Sequence, residues 1–192
     1  MKKFILTDET IEMFGVTLHR IKAVRSFGNV KEGDLGGFVE KEENISENFE
    51  AWVYDNAVVS GNAKVWGNAV VSGDAKVWGN AVVSGNAVVS DNAVVSGNAV
   101  VSGDAVVSGN AVVSGDADYI VFKNWWSSGR YFTWTRSNNM WSVGCFYGTG
   151  EELIKKAYAD SEKSGREYER VVKFVQSILE DEKNDNNQEK HV

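Results

Sequence analysis

Proline is absent from the 192 residues, which excludes a proline-rich linker or polyproline ligand and leaves almost every residue its backbone donor. The single cysteine, Cys145, excludes an intrachain disulfide and a thiol-built zinc site, and it suits a reducing compartment. Only two histidines are present, His19 and His191, so little is left for imidazole catalysis or metal binding. Long apolar runs are also missing. After Lys2 and Lys3, only Phe4-Ile5-Leu6 precedes Thr7-Asp8-Glu9, too short for a signal segment or a membrane span. A cytoplasmic protein with no membrane partner is therefore expected. Basic residues number 20 against 27 acidic, a net charge of −7, which argues against non-specific duplex binding but permits a local basic patch.

What is abundant is a repeat. Alanine recurs every six residues from Ala51 through Ala57, Ala63 and Ala69 to Ala117, and two residues after each comes a valine, Val53 through Val113, with Tyr119 in the last place. The unit reads V-S-G-N-A-V, with variants V-W-G-N-A-V and V-S-G-D-A-K. A six-residue period smears around all faces of a 3.6-residue helix, and each internal glycine would cost about 1 kcal/mol, so helix is excluded. A hairpin meander needs longer strands. The consistent solution is a solenoid in which each Ala-X-Val is a short strand and each Ser-Gly-Asn a corner, with alanine and valine inward and the middle residue outward.

These small-X-aliphatic hexads, from about Gly37 to Tyr119, resemble the hexapeptide-repeat family of left-handed parallel β-helices. The resemblance implies the left hand and three hexads per triangular coil of 18 residues. Twelve hexads then make about four coils, roughly 20 Å tall at ~4.8 Å per coil. In that register the corners stack as Asn56/Asp74/Asn92/Asn110, Asn62/Asn80/Asn98/Asp116 and Asn68/Asn86/Asp104. One aspartate per column avoids stacked carboxylates and argues against a calcium ladder, so structural amide stacks are expected.

The ends differ from the prism. Residues 1–38 carry short strand-like runs at 4–6 and 16–21 and read as a β cap. Gly33-Asp34-Leu35-Gly36-Gly37 reads as a turn, because no Lys-Ser/Thr follows to make a phosphate loop. Residues 39–118 are the hexad prism. Residues 119–150 hold ten of the 22 aromatics with Lys123, Arg130, Arg136 and no acid; runs at 119–123, 131–135 and 141–147 read as an antiparallel meander. Capping boxes at Thr149-Gly-Glu-Glu152 and Ser164-Gly-Arg-Glu167 predict helices near 150–160 and 165–182, and 183–192 reads as a disordered tail. The expected fold is thus mainly β: a left-handed parallel β-helix with an N-terminal β cap and a C-terminal meander plus two helices. This order of parts, with Gly144-Cys145-Phe146 leading into the helices, resembles short hexapeptide-repeat proteins often encoded by phages and prophages, a resemblance that implies no activity.

Catalysis is not expected. Acyltransferases of this fold use a histidine base beside a loop inserted between hexads, and this prism has neither. Zinc hydratases of similar fold need three histidines. His19 reads as a cap residue and Cys145 as a buried structural thiol, and no cofactor or metal is expected. Surface remains. Eight of the outward strand positions are valine, among them Val88, Val94, Val100, Val106 and Val112, whose stripes suggest self-association as a trimer or dimer. Trp52, Tyr54, Lys64, Trp66, Lys76 and Trp78 are expected to point outward near the N-terminal coils, where they either bind a partner or underlie the cap. Trp125, Trp126, Arg130, Trp134 and Arg136 are the candidate partner-binding residues of the C-terminal module. The sequence supports a rigid, non-enzymatic binding module for a protein partner, such as a phage-encoded antagonist of a bacterial defence system, for instance a CRISPR inhibitor. The alternatives are a structural spacer, scaffold or virion component and, more weakly, a sponge for nucleotides or a nucleic-acid binder.

Overall fold

A computed structural model of the chain describes residues 2–13 and 15–189. Strands β1 (Phe4–Met13), β2 (Val16–Ala23) and β3 (Leu35–Val39) form an antiparallel cap. Eleven two-residue strands follow, β4 (Trp52–Val53) to β14 (Val112–Val113). Their pairing is parallel and their register is 18 residues: Val70 lies beside Val88 and Val88 beside Val106, while Val82 meets Val100 and Val94 meets Val112. The chain is therefore a parallel β-solenoid of about four turns. Every alanine from Ala51 to Ala111 and every valine from Val53 to Val113 in the two inward registers is fully buried in one continuous core.

Corners are set by backbone geometry. Gly61, Gly67, Gly73 and their successors have φ near +70°, and a Cβ on Gly61 would lie 3.0 Å from the carbonyl oxygen of Gly79 one coil on. Asp55 and Asp91 take the same left-handed position at φ of 54° and 60°, and each carboxylate accepts the glycine N–H of the next coil, at Gly73 and Gly109. The amide columns form as the 18-residue register requires: Asn62 donates to Asn80, Asn80 to Asn98, Asn68 to Asn86, and Asn86 to Asp104 at 3.0–3.2 Å.

Both ends of the prism need capping. In the parallel ladder the first residue of a strand donates its N–H to a carbonyl of the following coil, as Val88 does to Ala105 and Val94 to Ala111. A terminal coil has no further coil on its outer side to pair with such groups. At the first end the Lys3 ammonium, fully buried, donates to Ser46 O at 2.6 Å and Ala51 O at 2.8 Å. Burial pushes its pKa down to about 8, with Glu47 acting against the shift and Arg25 adding to it. At the last end the Val106 N–H is met by Thr133 Oγ1 at 2.9 Å, the Val112 N–H by Ser137 Oγ at 2.7 Å, and the Ser114 N–H by the Asp118 carboxylate at 2.7 Å.

Those hydroxyls come from a four-stranded antiparallel sheet of β15 (Tyr119–Lys123), β16 (Tyr131–Thr135), β17 (Met140–Val143) and β18 (Phe146–Gly148). Strand alternation gives the sheet a hydroxyl-bearing face for the coil end and an apolar face for the helices. Tyr119, Thr133, Ser142 and Tyr147 face the prism. Phe132, Trp134 and Trp141 face α1 (Gly150–Asp160) and α2 (Glu162–Glu189), where Leu153, Ala157, Tyr168, Val172 and Val175 complete a second core.

Several expectations change. The run at 141–147 is two strands, because Gly144 turns the chain at φ 58°. Gly36 and Gly37 lie in β3 rather than in a turn; a Cβ at Gly37 would sit 2.4 Å from Ala57 O, so glycine lets β3 press on the first coil. The last hexad leaves the prism: Ala117 is exposed in a short 3-10 turn and Tyr119 opens β15. Thr149 caps α1 as expected, its hydroxyl accepting the Glu152 N–H. The second helix instead begins at Glu162 behind Ser161, whose hydroxyl accepts the Ser164 N–H, and Gly165 lies inside it because a Cβ there would meet the Tyr158 ring at 2.2 Å. That helix runs to Glu189, so 183–189 is helical rather than disordered; no proline or glycine follows Gly165 to stop it, and 190–192, with His191, lie outside the described residues.

Candidate functional site

The hydroxyl-lined cap explains much of the aromatic module as structure. Trp134 is buried, its indole N–H donating to Asn139 Oδ1 at 2.9 Å, so it is a core residue and not a partner contact. Arg136 is held by both carboxylate oxygens of Glu182 on α2, at 2.6 and 2.7 Å, so its face of β16 is closed by a helix instead of open. Trp126 is half-buried, its ring edge-on to Tyr168 at 4.9 Å and to Phe132 at 6.2 Å. Strand alternation puts Trp134 and Arg136 on one side of the β16 run but carries no information about what covers that side.

What remains outside is Trp125 and Arg130. Trp125 is 70% exposed and stands edge-on to Trp126 at 4.9 Å. Arg130 closes the same turn between β15 and β16, which is fixed by Asn124: its backbone N–H donates to Arg130 O, its side-chain oxygen accepts the Ser127 N–H, and its amide donates to the Tyr168 hydroxyl at 3.1 Å. A rigid turn therefore presents one large ring and one guanidinium. Burial keeps the Tyr168 phenol above its ordinary pKa, so it stays neutral.

Beside the turn lies an open cleft of about 430 Å³, bounded by the β15–β16 turn, the β17–β18 turn and both helices. Arg130, Lys156, Cys145 and Asp160 line it together with Ser127, Ser128 and Ser164. Cys145 is exposed at this cleft, correcting the buried thiol expected from its apolar neighbours: it sits in the turn between two strands, not within one. Lys156 and Ser164 escaped the sequence reading, since only the packing of α1 and α2 on the sheet brings them to Arg130.

On the prism, Trp66 and Trp78 are exposed at 49% and 46% as expected. Trp52 is not: it is buried against Phe4 and Phe27 of the cap, at ring separations of 6.1 and 5.4 Å. Trp78 borders a largely apolar groove of about 590 Å³ that includes Met13, Val16 and Val58. Val100 and Val112 are exposed, while Val88, Val94 and Val106 are half-exposed. His19 lies in β2, half-buried, with Nδ1 3.2 Å from Thr7 O. Among the described residues no cluster of His, Cys, Asp or Glu is arranged to hold a metal ion, and no helix is long and apolar enough to cross a membrane.

These features define a parallel β-solenoid with a capping β-plus-helix module. A family model described as the YdcK beta solenoid repeat matches residues 89–103 and again 95–109, the second match displaced from the first by the six-residue hexad. The similarity covers only the middle of the prism and supports a repeat β-helix. No curated protein matches the chain at a significant level.

Proposed function

We propose that the chain is a non-catalytic binding module in which the solenoid is a stiff support and the C-terminal turn carries recognition of a protein partner. The observation behind this reading is the pairing of Trp125, 70% exposed, with Arg130 on a turn pinned by three Asn124 hydrogen bonds. An exposed indole on a flexible loop would lose side-chain and backbone entropy on binding; here that ordering is already present. Trp and Arg are also the residues that dominate binding hot spots. The finer reading, a cytoplasmic, phage-encoded antagonist of a bacterial defence protein such as a CRISPR inhibitor, rests on the resemblance to phage hexapeptide-repeat proteins.

The test is direct. With a protein partner captured from bacterial lysate and then purified, Trp125→Ala and Arg130→Glu should each weaken binding about tenfold or more while the far-ultraviolet spectrum stays unchanged. Undiminished binding by both variants would move recognition to the prism or the N-terminal cap.

A second reading, self-association as a dimer or trimer, is favoured by the columns Val70/Val88/Val106, Val82/Val100 and Val94/Val112, which form partly exposed apolar stripes. Capped ends leave the side faces as the route for such assembly. A monomer at micromolar concentration in light scattering would remove it.

A further inference from the structure

We infer that the cleft between the meander and the two helices is a binding site for a small organic phosphate of about mononucleotide size, a role that goes beyond protein docking by the neighbouring turn. The cleft volume, about 430 Å³, falls in the range of small-molecule sites. Its chemistry is divided. Arg130 and Lys156 approach from the sheet and from α1, and among the described residues neither side chain has an ion pair or hydrogen-bond partner, unlike Arg136, Arg166, Arg170 and Lys173 nearby in the chain. In a chain of net charge −7, these two cations outnumber the one carboxylate of the lining, Asp160, and leave the concavity with a net positive charge.

Ser127, Ser128 and Ser164 line the same cavity, and the Ser128 hydroxyl, which accepts the Arg130 N–H, keeps its own proton to donate. A guanidinium, an ammonium and three hydroxyls offer more donors than a carboxylate, with about four lone-pair sites, readily uses. They suit the three terminal oxygens of a phosphate monoester. The rest of the wall is apolar, contributed by Val143, Phe146, Leu153 and Ala157, with the Tyr168 ring. An inorganic anion would leave that wall unused, whereas the body of an organic phosphate covers it. Asp160 supplies one acceptor for a hydroxyl or amino group on the ligand.

Cys145 supplies the assay. It is the sole cysteine, it is exposed, and it lines the cleft, so occupancy should slow its alkylation by neutral iodoacetamide. The probes are adenosine monophosphate, guanosine monophosphate, uridine monophosphate, adenosine and inorganic phosphate, each also measured by calorimetry. We expect at least one mononucleotide to bind and to slow alkylation threefold or more, with adenosine and phosphate alone at least tenfold weaker. Lys156→Ala and Arg130→Ala should each weaken that binding at least tenfold, and Lys156→Arg should restore part of it. Failure of all three mononucleotides to bind the folded wild type at millimolar concentration, or binding unchanged in both alanine variants, overturns the site. Trp125→Ala, outside the cleft lining, should leave mononucleotide binding intact; loss of protein partner binding in that variant alone separates the two readings.

Discussion

Replacing Thr133 by valine removes one atom that the solenoid needs and changes little else. Thr133 is fully buried, and its Oγ1 accepts the Val106 N–H of the last coil at 2.9 Å. Valine has nearly the same shape, so no cavity opens. The Val106 N–H then has no partner, a loss of about 1–3 kcal/mol for a buried donor. The extra methyl returns up to ~0.8 kcal/mol of apolar burial, so a mid-range loss of about 2 kcal/mol leaves a net destabilisation of about 1–2 kcal/mol. For a chain of this size that corresponds to a fall in melting temperature of about 2–8 °C. Urea unfolding reads the free energy, and amide hydrogen exchange reads the cause. Val106 should exchange much faster in Thr133→Val while Val88, whose N–H donates to Ala105 within the prism, keeps its protection. Unchanged stability together with unchanged Val106 exchange would refute the claim that side-chain hydroxyls close the last coil.

Two further predictions concern the interior and the opposite cap. Ala87 is fully buried in the coil core, and Ala87→Leu should cost about 1–3 kcal/mol or more by overpacking; an unaltered urea midpoint would contradict its inward placement. Lys3 has a folded pKa of about 8 against an ordinary 10.5, so between these values the unfolded chain binds the proton that the native chain has released, and the Lys3 contribution to stability rises with pH across that window. Raised pKa values at Tyr54, Tyr147 and Tyr168 act in the opposite sense once tyrosines begin to ionise, so the comparison should be the difference between wild type and Lys3→Met from pH 7.5 to 9.5. A constant difference across that range would count against the depressed ammonium.

From Ala51 to Val113 the inward positions of the prism were legible because a six-residue period with alanine and valine two apart admits only one arrangement that buries both, and the positive φ of Gly61 and its successors belongs to the same hexad. Thr149 and Glu152 were legible for the same kind of reason, since a capping box is a local contact. The two faces of β16 could also be read, as alternation separates Thr133 from Phe132 and Trp134. What covered those faces was decided by packing. Trp134 and Trp125 are both tryptophans of the meander, yet one is buried in the core shared with the helices and the other is 70% exposed. Trp52 and Trp66 are likewise both prism tryptophans, but only the first lies beneath Phe4 and Phe27. The cleft belongs to the same category, because Arg130 and Lys156 are 26 residues apart and line one cavity only when α1 docks on the sheet. Periodicity and caps are set by interactions within a few bonds of the residue that signals them. Exposure and the meeting of distant charges depend on which surfaces the whole chain brings together, and only the tertiary structure supplies that.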